Sequence, residues 1–547
     1  MQTHVIDRKS AAQQPSKLSR ITACVAAQAT SVVFGLFALS GNFRTVFGPI
    51  DDHEPLSWLD SEGNLSPSQF FNVLIGRTEV GDFGESSRFR PSYYFVRVGQ
   101  TTLFGDDPAL WYFFAFVLFV TTIALLAFAT WLWVALGLGQ QRPLLEITIA
   151  VAATSAGVIL FGSVGAWTGI VTRLGPSELL AMFGVSVILV SSTFLVGNAS
   201  GWWWVPALTG TVLAVGSKEN FLLLVLVPIG ISVYRFAIRR NMSSLFPASL
   251  SLLFSLALLA GISSTIGQGG KDVYGRSIDG SRAFSALSAL SGTYAAYWVP
   301  GALLVLGAGT LWLFAHPRPP RDLRALMVYL VLSGFVWLMF DAWMYRGIYE
   351  MTRYWVVFDF LKVLAIVASI AFAVSVFANR RGRVALGASL VLLTASLCLA
   401  CLQVAAAPQA VGALRNEVRA NALAASTWSA GVAAVLREAQ ILRQAQIVII
   451  PSGPTDFEPI VALAGAANRQ GIDTFVLVAE DTSGSEIPIG AAPIRQFQVS
   501  GWKDPKITPL ADIRSDRAVL CVFLNSQPRD VTGCSPDRSL TLRARGI

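Results

Sequence analysis

Charge is what this chain has least of. Charged residues make up 14% of its 547 positions and hydrophobic residues 54%, where a soluble globular protein carries about 25% charged. A chain so poor in charge cannot have water as the solvent along most of its length, so lipid must take that place. Cysteine and histidine are also scarce, at five and three. Cys24, Cys398 and Cys401 lie inside apolar runs, where a small hydrophobe is the default reading. Cys521 and Cys534 lie in a polar region and are placed to form a disulfide if their compartment is oxidising. No CxxC pair marks a metal or redox centre. The glycine-rich GQGGK at 267–271 is followed by Asp272, where a P-loop would have Ser or Thr for magnesium. PSGPTD at 451–456 lacks the glycine spacing of a dinucleotide site. No segment interleaves basic residues with exposed aromatics, which argues against nucleic acid as a partner. No internal repeat of the secondary-transporter kind is visible.

What remains is a series of long apolar runs. They begin near Ile21, Leu110, Leu144, Leu179, Trp202, Phe221, Leu245, Trp298, Leu326, Trp355 and Val384, which makes about eleven spans. The fold class expected is therefore a polytopic α-helical membrane protein. The first run, Ile21 to Leu39, exceeds the ~7–15-residue core of a cleaved signal and is read as a retained helix. Loops rich in Arg and Lys stay in the cytoplasm. The basic N-terminus (Arg8, Lys9, Lys17, Arg20) then shares a side with Arg142, with Arg235, Arg239 and Arg240, with Arg318, Arg321 and Arg324, and with Arg380, Arg381 and Arg383. This orientation exports residues 41–109, the stretch around Lys218, residues 264–296 and residues 341–354. The expected location is a bacterial inner membrane, with those segments periplasmic.

Beyond Ala407 the composition changes. Residues 1–406 read as the membrane module and 407–547 as an exported soluble α/β domain. An amphipathic helix over 411–444 leads to strands at 447–450, 475–479 and 518–524, with a helix near 457–470 between the first two. Strands alternating with helices predict a largely parallel sheet.

The exported loop 41–109 is far longer than an ordinary connection and too rich in Phe, Trp, Tyr and Leu to be disordered. Soon after the first span it carries GPIDDHEPLSW, with Asp51, Asp52, His53 and Glu54 in succession. Mutual repulsion among such acids raises a carboxylate pKa toward that of a useful general base. The plainer reading is a solvated acidic turn, with His53 a structural hydrogen-bonding residue. Farther on come RFRPSYY at 88–94, LFGDDP at 103–108, SKEN at 217–220 and TRY at 352–354.

In that order along the chain, and with an exported C-terminal domain, these motifs resemble the GT-C superfamily of membrane glycosyltransferases. The nearest likeness is to protein O-mannosyltransferases and lipid A aminoarabinose transferases. The resemblance implies an enzyme that takes a sugar from a polyprenyl-phosphate donor and passes it to an exported glycan, lipid or protein acceptor by an inverting single displacement. No nucleotide-sugar site is required. Asp52 or Asp51 is the candidate base, and Glu54 positions the acceptor or helps hold a divalent metal. Lys218, Arg353, Arg346, Arg88 and Arg90 are the candidate cations for the donor phosphate, because fixed positive charge stabilises a leaving phosphate. Metal dependence stays open, since Lys and Arg alone can assist phosphate departure.

Plainer readings stand beside these. Lys218 can snorkel to the interface or pair with Glu219. Glu178, in RLGPSE at 173–178, caps the fourth span. Tyr354 and Trp355 suit interfacial anchors. The competing functions are a lipid-linked sugar flippase or transporter, which would place ionisable residues within the spans, and a polysaccharide polymerase or ligase, which gives no reason for the acidic cluster.

Overall fold

The structure is a computed structural model describing residues 15–50, 52–60, 62–81, 89–138, 141–196, 201–239, 245–269, 288, 291–292, 295–314, 321–345, 352–378, 383–442, 446–450, 457–472, 474–476, 506–507, 518–526 and 536–543. Apolar helices stand at the places where the sequence predicts spans: α1 (Lys17–Leu39), α5 (Pro108–Leu138), α6 (Pro143–Gly162), α8 (Glu178–Val196), α9 (Trp204–Val215), α10 (Leu226–Arg239), α11 (Leu245–Gly269), α12 (Ala295–Phe314), α13 (Arg321–Tyr345), α14 (Val356–Ala378) and α15 (Arg383–Ile441). Pro108 and Pro143 open α5 and α6, where the missing N–H costs nothing and the fixed φ suits a first turn.

Among the described residues, seven helical segments are long and apolar enough to cross a membrane, so the protein is an integral membrane protein. The runs in α11, α12 and α13 meet the apolar criterion only over shorter stretches, Leu245–Gly261, Trp298–Leu311 and Ala325–Asp341. The run expected near Trp202 differs most. It forms a helix of only 12 residues, ~18 Å long against a hydrocarbon layer of ~30 Å.

Helix α5 packs against α1, α6, α8 and α14, and one continuous core runs through them. Helices α8 and α9 approach through Gly184 and Gly210, where a Cβ on either would lie 2.5–2.7 Å from the other's carbonyl oxygen. Small residues are how lipid-embedded helices gain such contact.

The described part of the 41–109 loop is folded. It contains α2 (His53–Leu56), α3 (Phe70–Gly76) and α4 (Pro91–Phe104) around a core that includes Trp58, Leu65, Val73, Tyr93, Tyr94 and Val98. Its helices turn Phe71, Ile75, Phe95 and Leu103 outward, as helices lying at the lipid interface do. A four-residue helix, α7 (Trp167–Ile170), precedes the 173–178 segment.

Helix α15 is 59 residues long with Pro408 inside it, ~88 Å end to end. The expected last span and the amphipathic helix after it are thus one helix, and the 406/407 boundary falls inside it. Beyond it lies a small parallel sheet of β1 (Gln446–Ile450), β2 (Thr474–Val476), β3 (Lys506–Ile507), β4 (Val519–Leu524) and β5 (Ser539–Leu542), in the order β3-β2-β1-β4-β5. Its central strands, QIVII and VLCVFL, are almost wholly buried, as parallel strands covered on both faces must be. Trp428, Val435 and Leu436 of α15 and Leu463 of α16 (Phe457–Arg469) pack against them. Three strands and α16 lie where the sequence places them. The short β3 and β5 were not expected. Cys521 is disulfide-bonded, while its expected partner Cys534 and the PSGPTD turn lie outside the described residues.

Candidate functional site

Helix α4 holds the site together. Ser92 donates through Oγ to Val212 O at 2.7 Å and through N to Gly216 O at 2.8 Å. A Cβ on Gly216 would collide with Ser92 Oγ, so this close seating needs glycine. On the same helix, Tyr93 OH donates to Gly175 O at 2.7 Å and Arg97 Nη1 to Leu174 O at 2.9 Å. The Arg97 guanidinium also lies 4.7 Å over the Trp111 ring. Through these bonds α4 fixes the 173–178 segment and the 216–220 turn to the loop that carries the acids.

Asp52, just before α2, is buried, with 2% of its surface exposed. Leu174 N donates to its Oδ1 at 2.9 Å, and Gly48 N and Tyr112 OH donate to Oδ2 at 3.0 and 2.9 Å. Burial pushes the carboxyl pKa above its ordinary value, while the two backbone N–H groups, Arg97 and the Tyr112 hydroxyl pull against that rise. The acid lines a cavity of about 270 Å³ shared with Gly48, Tyr112, Arg173, Glu417 and Asn421. One cavity thus contains a buried acid, a second carboxylate from α15 and an arginine.

Glu54 is half-buried and accepts from Tyr94 OH at 2.9 Å. Burial raises its pKa, against the pull of Arg90 and Arg97. Arg90 is itself tied to Glu79, with Nε donating to Oε2 at 2.9 Å. Arg97 therefore acts electrostatically on both Asp52 and Glu54.

A second ionic cluster lies between the helices. Lys218 is buried and pairs with Glu178 at 3.0 Å, a partner the sequence did not suggest. Arg353 also acts electrostatically on Glu178. Asp341 of α13 is wholly buried, lies within electrostatic range of Lys218 and Glu178, and accepts from Asn220 Nδ2 at 2.7 Å. Trp337 Nε1 donates to Asn220 O at 2.8 Å. The helices thus bury more charge than the apolar runs suggest.

The structure brings Asp52, Glu54, Arg90, Lys218 and Arg353 to one end of the bundle. Asp51, Arg88 and Arg346 lie outside the described residues, as does the side chain of His53. Among the described residues no three His, Cys, Asp or Glu side chains converge as a metal centre requires. Sequence reasoning missed Arg97, Tyr112, Arg173, Glu417 and Asn421. Arg173 stood in the RLGPSE segment and Glu417 on an amphipathic helix, but neither signal separates a cavity wall from a solvated face.

No family model and no curated protein sequence matches the chain. Among solved structures it is similar to the crystal structure of ArnT from Cupriavidus metallidurans bound to undecaprenyl phosphate, at 13% identity over 89% of each chain with a TM-score of 0.43. A superposition that loose carries no argument about chemistry, which rests on the chain's own residues.

Proposed function

We propose that the protein is a membrane glycosyltransferase that moves a sugar from a polyprenyl-phosphate donor to an exported acceptor by a single inverting displacement. The observation that carries this reading is the Asp52 cavity: a buried carboxylate held by three donors, facing the same space as Arg173 and Glu417, at one end of a bundle of apolar helices. The GT-C-like order of motifs supports it from the sequence side.

In the proposed step Asp52 accepts the proton of an acceptor hydroxyl as that oxygen attacks the anomeric carbon. The bond from carbon to phosphate oxygen breaks, and the phosphate leaves with the electron pair. Positive charge fixed beside the leaving oxygen stabilises the transition state more than the ground state. Arg173 is the cation that shares the Asp52 cavity. Lys218 and Arg353 belong to the ionic cluster around Glu178, and Arg90 is paired with Glu79. Their part in donor binding would involve reorganising those pairs. Glu54, bonded to Tyr94, shapes the loop next to the base. We place the active site and the C-terminal sheet on the periplasmic side.

The test is transfer or hydrolysis of a labelled sugar from a synthetic polyprenyl-phosphate sugar by the purified full-length protein in nanodiscs. Release above that of a heat-inactivated control supports the reading, and its absence with bound donor refutes it. A second reading, a lipid-linked sugar carrier, is favoured by one observation: Glu178, Lys218 and Asp341 form a buried charged cluster between helices, as transport paths do. Donor flipping in proteoliposomes without sugar release would favour that reading.

A further inference from the structure

The Asp52 cavity does not stand alone. It shares Gly48 with a second cavity of about 270 Å³. That one shares Asp106, Ser429 and Arg469 with a third of about 540 Å³. The shared residues set the three cavities side by side along α15, as a segmented trough from Glu417 to Gln440, a helix length of ~35 Å. One wall is α15, the floor and far wall are the exported loop, and α16 closes the end. A single acceptor hydroxyl needs none of this length.

The far compartment shows what kind of molecule fits. Asp60, Glu62 and Asp106 face it together with Arg437 and Arg469, so carboxylates outnumber guanidinium groups and a polyanion is repelled. An apolar chain there would strip water from charged groups without replacing their hydrogen bonds. Two walls are helices, whose interior backbone groups are satisfied internally, so an extended peptide lacks the backbone ladder it uses for recognition. Interleaved acceptors and donors on side chains suit a chain of vicinal hydroxyls, each both donor and acceptor.

We infer that the trough binds the acceptor, and that the acceptor is an uncharged oligosaccharide or polysaccharide chain whose terminal hydroxyl reaches Asp52. This rests on the glycosyltransferase reading for the role of Asp52, but occupancy of the trough can be measured without turnover.

The experiment is photocrosslinking in intact cells from p-benzoyl-phenylalanine placed at Ala433, an exposed residue lining the far compartment. The expected adduct is a phosphate-free ladder of sugar masses that periodate destroys. A phosphate-bearing lipid, a peptide adduct or no adduct overturns the inference. Adding Arg437→Ala and Arg469→Ala should lower adduct yield by about tenfold or more, because hydrogen bonds to charged groups are lost. An unchanged yield at equal thermal stability also overturns it. Glycan adducts without sugar transfer from the donor would sink the enzymatic reading and leave the binding site standing. Transfer with lipid adducts would do the reverse.

Discussion

Two buried ionic sites lie at the same end of the bundle, and they solve the problem of burying charge in opposite ways. Asp52 has no salt-bridge partner recorded among the described residues. Its carboxylate is held by two backbone N–H groups and a tyrosine hydroxyl, and it opens on a cavity. Lys218 and Glu178 neutralise each other directly, with Asp341 and Asn220 packed behind them. A hydrogen-bonded acid beside free space can still exchange a proton with a guest. A paired cation in a packed interior has its charge already spent on the fold. The first site is thus open to a guest as it stands, and the second is closed until its pairs reorganise.

The largest effect should come from breaking the closed site. Lys218→Ala leaves Glu178 as a buried charge without its lysine, which typically costs about 3–5 kcal/mol, so the protein should melt well below wild type in detergent. Replacing both partners, as Lys218→Met with Glu178→Leu, should recover most of that loss, because no charge is stranded. A Lys218→Ala variant as stable as wild type would show the pair to be dispensable and return Lys218 to the list of phosphate ligands.

A smaller, more telling change comes from Arg97, which acts on the open site without lining its cavity. Asp52 must be ionised to accept a proton, so activity falls as pH drops through its raised pKa. Arg97 pulls that pKa down, and Arg97→Gln should move the acid limb of the kcat/KM profile to higher pH. An unmoved limb would mean that Asp52 is not the titrating base. The smallest effect is expected for Tyr94→Phe, which removes the hydrogen bond donated to Glu54 and the longer one accepted from Arg90 Nη2. It should cost about 1–2 kcal/mol of stability in thermal unfolding and leave the acid limb in place.

Much of the scaffold was legible because lipid imposes a simple rule on sequence: long apolar runs and basic loops. The rule misleads at Trp204–Val215, where the chain turns at Gly216 to meet Ser92. An apolar run alone does not say whether its helix goes all the way across. At Ala407 the change in composition falls within one continuous helix, since a helix that leaves an apolar environment for a polar one need not break. Asp52 was legible because three acids in four residues are rare in such a chain. Arg97, Tyr112 and Glu417 were not, because they join the site through tertiary packing of elements far apart in sequence. The pairing of Lys218 with Glu178 was hidden for the same reason: it bridges two separate helical segments, while Glu219 was merely adjacent.

The most direct test of the central claim is Asp52→Asn, assayed for sugar transfer from a polyprenyl-phosphate donor alongside measurement of donor binding. The amide keeps the shape of the side chain but cannot take the acceptor's proton. Loss of a general base typically costs about 10²–10⁴ in rate, so transfer should fall by that factor while donor binding is largely kept. Transfer near the wild-type rate would contradict the account and leave the acidic cluster as a structural turn.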